Sequence, residues 1–138
     1  MSKAYELGLY EKAMPGTLTW KERLEAAKAA GYDYVEISID ATEEKIARLD
    51  MDRESRLELV KTMYETGIPI RTMCVSALTK YAIGSSDEAC CARGMEILEK
   101  SLQLADDLGI RVVMIPGYDV YYEESTLDTK HRLSLIHI

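Results

Sequence analysis

The chain lacks an excess of positive charge, a long apolar run and a cysteine framework, and each absence removes a class of function. Its 17 lysines and arginines are outnumbered by 24 acidic residues, for a formal net charge of −7. Binding nucleic acid by neutralising phosphates needs a basic face, so no nucleic-acid partner is expected. No apolar stretch approaches the roughly 18 residues of a membrane span, so no membrane partner is expected either. The opening "MSKAYELGLYEKAMPG" has no apolar core of signal-peptide length behind Lys3. The 3 cysteines, Cys74, Cys90 and Cys91, include an adjacent pair and no CxxC. That is a poor disulfide or zinc pattern, and reduced thiols in the cytoplasm are the expectation. The 2 histidines, His131 and His137, both fall near the end, with no H-x-x-x-H between them. A nucleophile elbow and the Gly-rich spacing of a phosphate loop are also missing.

What is present is an ordinary globular composition, 47% apolar and 30% charged over 138 residues, enough for one domain with a real core. Strand-like and helix-like patterns alternate. "YELGLYEKA" (5–13) is β-compatible and ends at Pro15-Gly16. Thr17 or Thr19 then caps a helix through "WKERLEAAKAAG", with Trp20, Leu24, Ala27 and Ala30 at helical spacing and Gly31 as its stop. "YDYVEISID" (32–40) alternates as a strand. A short helix over "ATEEKIARL" and a longer one over "DRESRLELVKTMYETG" follow, the second capped by Asp52, closed by Gly67 and carrying Leu57, Val60 and Tyr64 on one face. "IPIRTMCVSA" (68–77) is the third strand. The third main helix, "SSDEACCARGMEILEKSLQLADDLG", places Met95, Leu98, Leu102, Ala105 and Leu108 on its apolar side, with Gly94 a mild weakness. "IRVVMIPG" (110–117) reads as a strand covered on both faces. Strands separated by such helices pair in parallel through right-handed crossovers. A small open flavodoxin-like sheet and half of a (β/α)8 barrel both fit.

In either architecture ligands gather at the carboxyl ends of the strands. Glu36, in mid-strand opposite Val35 and Ile37, points into a barrel and needs a cation or hydrogen-bond partners there. Asp40 reads better as a helix cap than as a ligand. Ser85 or Ser86 caps the next helix, although "GSSDEA" has a superficial likeness to a phosphate cradle. Lys80 is the cation placed to reach a substrate phosphate, with a solvated lysine as the plainer alternative. Cys90 and Cys91, read as mid-helix, are not in a thiolate-stabilising place. The tyrosines of "YDVYY" are suited to line a sugar pocket, or to ordinary packing at a rim. From the residues alone, no catalytic constellation is complete.

Several stretches together resemble the N-terminal half of the L-ribulose-5-phosphate (L-xylulose-5-phosphate) 3-epimerases, which are xylose-isomerase-like TIM-barrel enzymes. These are "LGLYEKAMP", "GYDYVEISID", "RLDMDRESRLELV", "ETGIPIRTMCVSA" and "LGIRVVMIPGYDVYYEE". The resemblance implies the N-terminal half of a (β/α)8 TIM barrel over 1–132, from a cytoplasmic isomerase of L-ascorbate and pentose catabolism. It implies a divalent metal held by two glutamates, an aspartate and a histidine, and a proton shuttled at C3 of a pentulose 5-phosphate. Those ligands belong to the last four strands of the family's barrel. No catalytic or metal-binding residue therefore transfers to this chain, and no cofactor is expected on it. The substrate-binding candidates are Glu36, Ser76, Lys80, Gly117 and Tyr118. One departure stands in "LTKYAIGSS", where Leu78 replaces a family histidine and Thr79 a basic residue.

The expected consequence is a fragment inactive as an epimerase, with exposed sheet edges that favour self-association. "LSLIHI" (133–138) corresponds to in-frame translation of a transposase-end sequencing adapter, so a non-native tail is expected there. The rival readings are a complete small α/β ligand-binding module without catalysis, or another isomerase of the same barrel superfamily. An endonuclease IV-like phosphodiesterase is disfavoured by the charge.

Overall fold

Local capping chemistry sets most of the element boundaries. Thr19 opens α1 (Trp20–Ala29) with a reciprocal capping box: its hydroxyl accepts from the Glu22 N–H, and the Glu22 carboxylate accepts the Thr19 N–H. Thr42 caps α2 (Glu43–Ala47), Asp52 caps α3 (Arg53–Thr66) and Asp87 caps α4 (Glu88–Leu108). α3 and α4 both stop at a left-handed glycine, Gly67 at φ 72° and Gly109 at φ 71°. The Lys28 ammonium of α1 donates to the Thr66 carbonyl at 2.7 Å and so satisfies an orphan acceptor at the end of α3. A short α5 covers Thr129–Ser134. This computed structural model describes residues 4–117, 123–124 and 128–134.

The strands are β1 (Gly8–Tyr10), β2 (Tyr34–Ser38), β3 (Ile70–Cys74) and β4 (Val112–Met114). All are parallel and lie in the order β1-β2-β3-β4. That order decides between the two architectures the sequence allowed. A doubly wound sheet reverses direction at a switch point, whereas strands added one after another by right-handed crossovers put every helix on the same face. The observed order is the one a (β/α)8 barrel uses.

Burial follows. Val35, Ile37, Ile70 and Met73 are fully buried against Leu24 and Ala27 of α1, Leu59 of α3, and Ile97, Leu98, Leu104, Ala105 and Leu108 of α4. Among the described residues the other face has no such layer. Val112 and Met114 of β4 are 55% and 44% exposed there, while Val113 between them packs on the core. Among the described residues the apolar run of β4 is therefore covered on one face and not on two, because the helices that pack on the core, α1, α3 and α4, lie on one side.

Two helical faces differ from the sequence reading. α4 buries Gly94, Ile97, Leu98, Ser101, Leu104, Ala105 and Leu108, while Met95 and Leu102 are exposed. The predicted and observed stripes share three residues, and Gly94 settles the rotation between them. A Cβ at Gly94 would run into the Tyr81 carbonyl, so this point of the helix must press on backbone. On α3 the buried apolar residue is Leu59, and Leu57 and Tyr64 of the predicted stripe are exposed.

Gly94 is therefore a packing requirement, not a mild weakness. Gly94→Ala gains about 1 kcal/mol of helix propensity but loses more to overlap with a carbonyl that has no rotamer to escape through. We expect net destabilisation of about 1–3 kcal/mol in urea denaturation. A stabilised variant would show that the Tyr81 loop yields.

Candidate functional site

At the carboxyl ends of β1, β2 and β3 an open cleft of about 640 Å³ is lined by Lys12, Asp40, Ala41, Thr42, Ser76, Thr79 and Lys80. Its frame is a buried carboxylate. Glu11, directly after β1, is 1% exposed and accepts both oxygens' worth of contact from Arg48 Nη1 at 2.8 Å. Lys45 also pairs with it, and Arg23 stands 3.6 Å away. Arg48 donates further to the Ser38 carbonyl at 3.1 Å, and Arg23 to the carbonyls of Leu18 and Gly16. Both guanidiniums lie over the Trp20 ring, at 5.1 and 5.5 Å from its centre. One carboxylate thus joins the end of β1 to α1, to α2 and to the end of β2.

With Glu11 turned inward, Lys12 points into the cleft and pairs with Asp40 at 2.5 Å. Burial alone would push the Asp40 carboxyl up. Hydrogen bonds from Lys12 and from the Thr42 hydroxyl and N–H overcome it and hold the group at about 2. Asp40 therefore braces the cap, and the cap of α2 is Thr42. On the uncovered face, the Tyr10 phenol donates to Ser38 Oγ at 3.0 Å. Burial raises the Tyr10 pKa, with Cys74 nearby adding to the rise, so the phenol stays a hydrogen-bond donor at neutral pH.

The predicted site residues separate. Ser76 and Lys80 line the cleft, Ser76 half-buried at the start of a 3-10 turn and Lys80 exposed with its ammonium 5.2 Å from the Tyr81 ring centre. Glu36 lies deeper, half-buried on the uncovered face, and accepts from Thr72 Oγ1 at 2.8 Å. Among the described residues its hydrogen-bond partner is a hydroxyl and not a cation. Gly117 is exposed with open space around it, and Tyr118 lies outside the described residues, as do all of "YDVYY" and most of the 133–138 tail. Leu78 is 5% exposed in the core cluster, so the departure from the resembled pattern faces away from the cleft. Thr79 does line it.

Ser85 and Ser86 do not cap α4. Asp87 does so, accepting from the Ala89 N–H at 2.9 Å, while Ser85 Oγ and the Ser86 N–H donate to the Glu123 carboxylate. Carboxylate is the stronger acceptor for a helix start, which explains the shift of one or two residues. Cys90 and Cys91 accordingly stand in the first turn of α4 and not in its middle. Their thiols face the Lys80 and Ile83 carbonyls at 3.5 and 3.0 Å. The signals missed in the sequence were the alternating Tyr10, Ser38 and Cys74 and the basic partners of Glu11, which become neighbours only once three strands align.

The carboxylates at this end do not fit a divalent cation. Glu11 is taken up by Arg48, Lys45 and Arg23, and Asp40 by Lys12 and Thr42. Among the described residues no group of three or more His, Cys, Asp or Glu is placed to hold a metal. No step through a metal is derived for this chain. Among the described residues no helix is long and apolar enough to cross a membrane.

The family described as "Xylose isomerase-like TIM barrel" matches residues 24–136. The chain belongs to the xylose isomerase-like TIM barrel family. Within it, the L-ribulose-5-phosphate 3-epimerase UlaE of Escherichia coli O139:H28 is 48% identical over 132 residues, which are 96% of this chain and 46% of that protein. UlaE of Shigella sonnei (strain Ss046) matches to the same extent. The chain spans about half the length of these curated relatives, their N-terminal half. Among solved barrels, E. coli 3-keto-D-glucoside 4-epimerase YcjR superposes with a TM-score of 0.67 at 18% identity, covering 95% of this chain and 47% of YcjR. A D-psicose 3-epimerase in the presence of D-fructose gives a TM-score of 0.68 at 17% identity, covering 93% and 43%. At those identities the two structures speak for the fold. They agree with the one-sided parallel sheet, which corresponds to under half of each barrel.

Glu11→Gln leaves one buried and two half-buried cations facing an amide, and we expect a loss of about 3–5 kcal/mol, read by chemical denaturation. A change under about 1 kcal/mol would mean that the cluster contributes little net stability. Asp40 gives a pH test. Its folded pKa of about 2 lies below its ordinary value of 3.8. Its contribution is therefore present above about pH 4 and fades as pH falls toward about 2. Because Lys12 is partly solvated, we expect Asp40→Asn to cost about 1 kcal/mol near neutrality. The gap from wild type should narrow in denaturation series run from about pH 5 downward; a gap that widens in acid would reverse the assignment.

Proposed function

We propose that this chain is the N-terminal half-barrel of an epimerase acting at C3 of L-ribulose 5-phosphate and L-xylulose 5-phosphate, in L-ascorbate and pentose catabolism in the cytoplasm. The observation that carries the proposal is the 48% identity to L-ribulose-5-phosphate 3-epimerase across 96% of the chain. The cleft supports it in chemistry. Two ammonium groups, Lys12 and Lys80, and two hydroxyl side chains, Ser76 and Thr79, converge on one opening at the strand ends. Such a set suits a phosphorylated polyol, with the cations toward phosphate and the hydroxyls toward sugar oxygens. Glu36, Gly117 and Tyr118 are assigned to the same first-half wall of the pocket.

The proton transfer itself is assigned elsewhere. A base for C3 needs a pKa near the working pH. Asp40, held at about 2, is too weak a base, and Glu11 is enclosed by its cations. Tyr10, kept protonated, is suited to donate a hydrogen bond and not to accept a proton. In line with the family resemblance, we assign the divalent metal and the acid–base carboxylates of the complete enzyme to the remaining half of the barrel, and binding and positioning to this chain.

A chimera tests this. Residues 1–132 joined to the second half of UlaE should exchange the C3 proton of L-ribulose 5-phosphate with solvent deuterium when a divalent metal is supplied. The 138-residue chain alone should show no exchange. A chimera that folds and binds metal yet turns over neither pentulose phosphate would sink the reading.

A further inference from the structure

Two apolar side chains of α3 have no role in the core or the cleft, Leu57 at 57% and Tyr64 at 84% exposure. Seven residues apart, they share one face of the helix. α3 packs between α1 and α4, so the remaining units of a barrel, added beside β1 and β4, leave that face uncovered. Two depressions adjoin it along the seam with α4 and share Asp107 as a wall. One, of about 320 Å³, is lined by Met51, Arg53, Arg56 and Leu57. The other, of about 500 Å³, is bordered by Val60, Met63, Tyr64, Asp106 and Leu108, and lies at the amino ends of β3 and β4. We propose that a second copy of this chain docks here, the two α3 helices antiparallel about a two-fold axis. Tyr64 of each copy then seats beside Leu57 of the other, and Arg53 of each meets Asp106 of the other.

The order of residues along the seam selects this occupant. From the start of α3 it runs basic Arg53, apolar Leu57 and apolar Tyr64, then acidic Asp106 across the seam. A two-fold reversal lays that series on its own complement. The aromatic knob meets the smaller depression, and each cation meets a carboxylate. Among the described residues neither Arg53 nor Asp106 makes an ion pair within the chain, whereas Arg56 and Asp107 pair with each other. Arg53 opens α3 and Asp106 stands in the last turn of α4, each carrying the sign that its helix end disfavours. Helix stability therefore does not account for either charge. Lys61, near the axis, is already held by Glu58 and Glu65 at 3.6 and 3.8 Å. An isologous contact of this kind closes at two copies. It leaves the cleft open, since the cleft lies at the carboxyl ends of the strands. The proposal needs no substrate and no turnover, so it stands apart from the epimerase reading, and it applies to the half-barrel and the complete barrel alike.

Sedimentation equilibrium of the 138-residue chain tests it, and a two-copy species is expected at about 100 µM. Tyr64→Lys should raise the dissociation constant by about tenfold or more, with the circular dichroism of the exposed site's helix unchanged. Arg53→Glu and Asp106→Arg each place like charges at both contacts and should weaken association to a similar degree. Both substitutions suit their helix ends better than the native residues, so neither should cost folding. An equimolar mixture of these two variants restores opposite charges at both contacts. Its constant should return to within about threefold of wild type, a rescue that only a contact between copies can give. The sheet edges, which the rest of a barrel completes under the proposed function, are the other seat for self-association. Val112→Lys reads them and should leave the constant within about twofold. A chain that stays monomeric at about 100 µM overturns the proposal. So does a mixture that fails to rescue, or a larger effect from Val112→Lys than from Tyr64→Lys.

Discussion

The Glu11 carboxylate is the constraint on which the upper end of the molecule depends. A charge taken out of water must find partners. Here they come from three separate segments, Arg23 of α1, Lys45 of α2 and Arg48 just after it. Meeting that demand fixes where the first two strands end. It also reverses the side chains on either side of Glu11. Tyr10 faces the bare side of the sheet, where it meets Ser38, and Lys12 faces the cleft, where it meets Asp40. The cleft is the outer consequence of an inner ion cluster.

Below the cleft the sheet has two faces of different character. The helix side is an ordinary apolar core of Val, Ile, Leu and Met. The opposite side is mixed: Glu36 on Thr72, Arg71 on Tyr34 and Glu6, and apolar Val112 and Met114 toward one edge. A solvent-facing sheet surface would be polar throughout, and a doubly covered one apolar throughout. Side chains that are polar but already bonded to one another, beside apolar ones left bare, are what the interior of a barrel requires before it is closed.

Much of the fold was legible because the signals were local. Thr19 and Asp52 begin helices, Gly67 ends one, and the alternation in "YVEIS" gives a strand, all within a few residues of chain. Where capping was ambiguous the reading slipped by a residue or two, as at Ser85, Ser86 and Asp87, because several side chains of similar chemistry compete for one helix start. The rotation of α4 was illegible for a different reason. Two apolar stripes share Leu98, Ala105 and Leu108, and the choice between them depends on the Tyr81 carbonyl pressing on Gly94. For the site, Ser76 and Lys80 could be placed by their position after a strand. Glu36 was placed on the correct face, but its partner Thr72 belongs to another strand.

The sequence by itself determined the succession of strands and helices, some of their caps and stops, and the likeness to a sugar-phosphate epimerase. These depend on neighbours in the chain or on residue identity. Only the tertiary structure decided that the strands stand in sequential order with helices on a single side, and that Glu11 is enclosed by three cations. It also showed Leu78 turned into the core and two lysines opening on one cleft. Each of those facts depends on which distant segments touch, and a linear pattern carries no record of that.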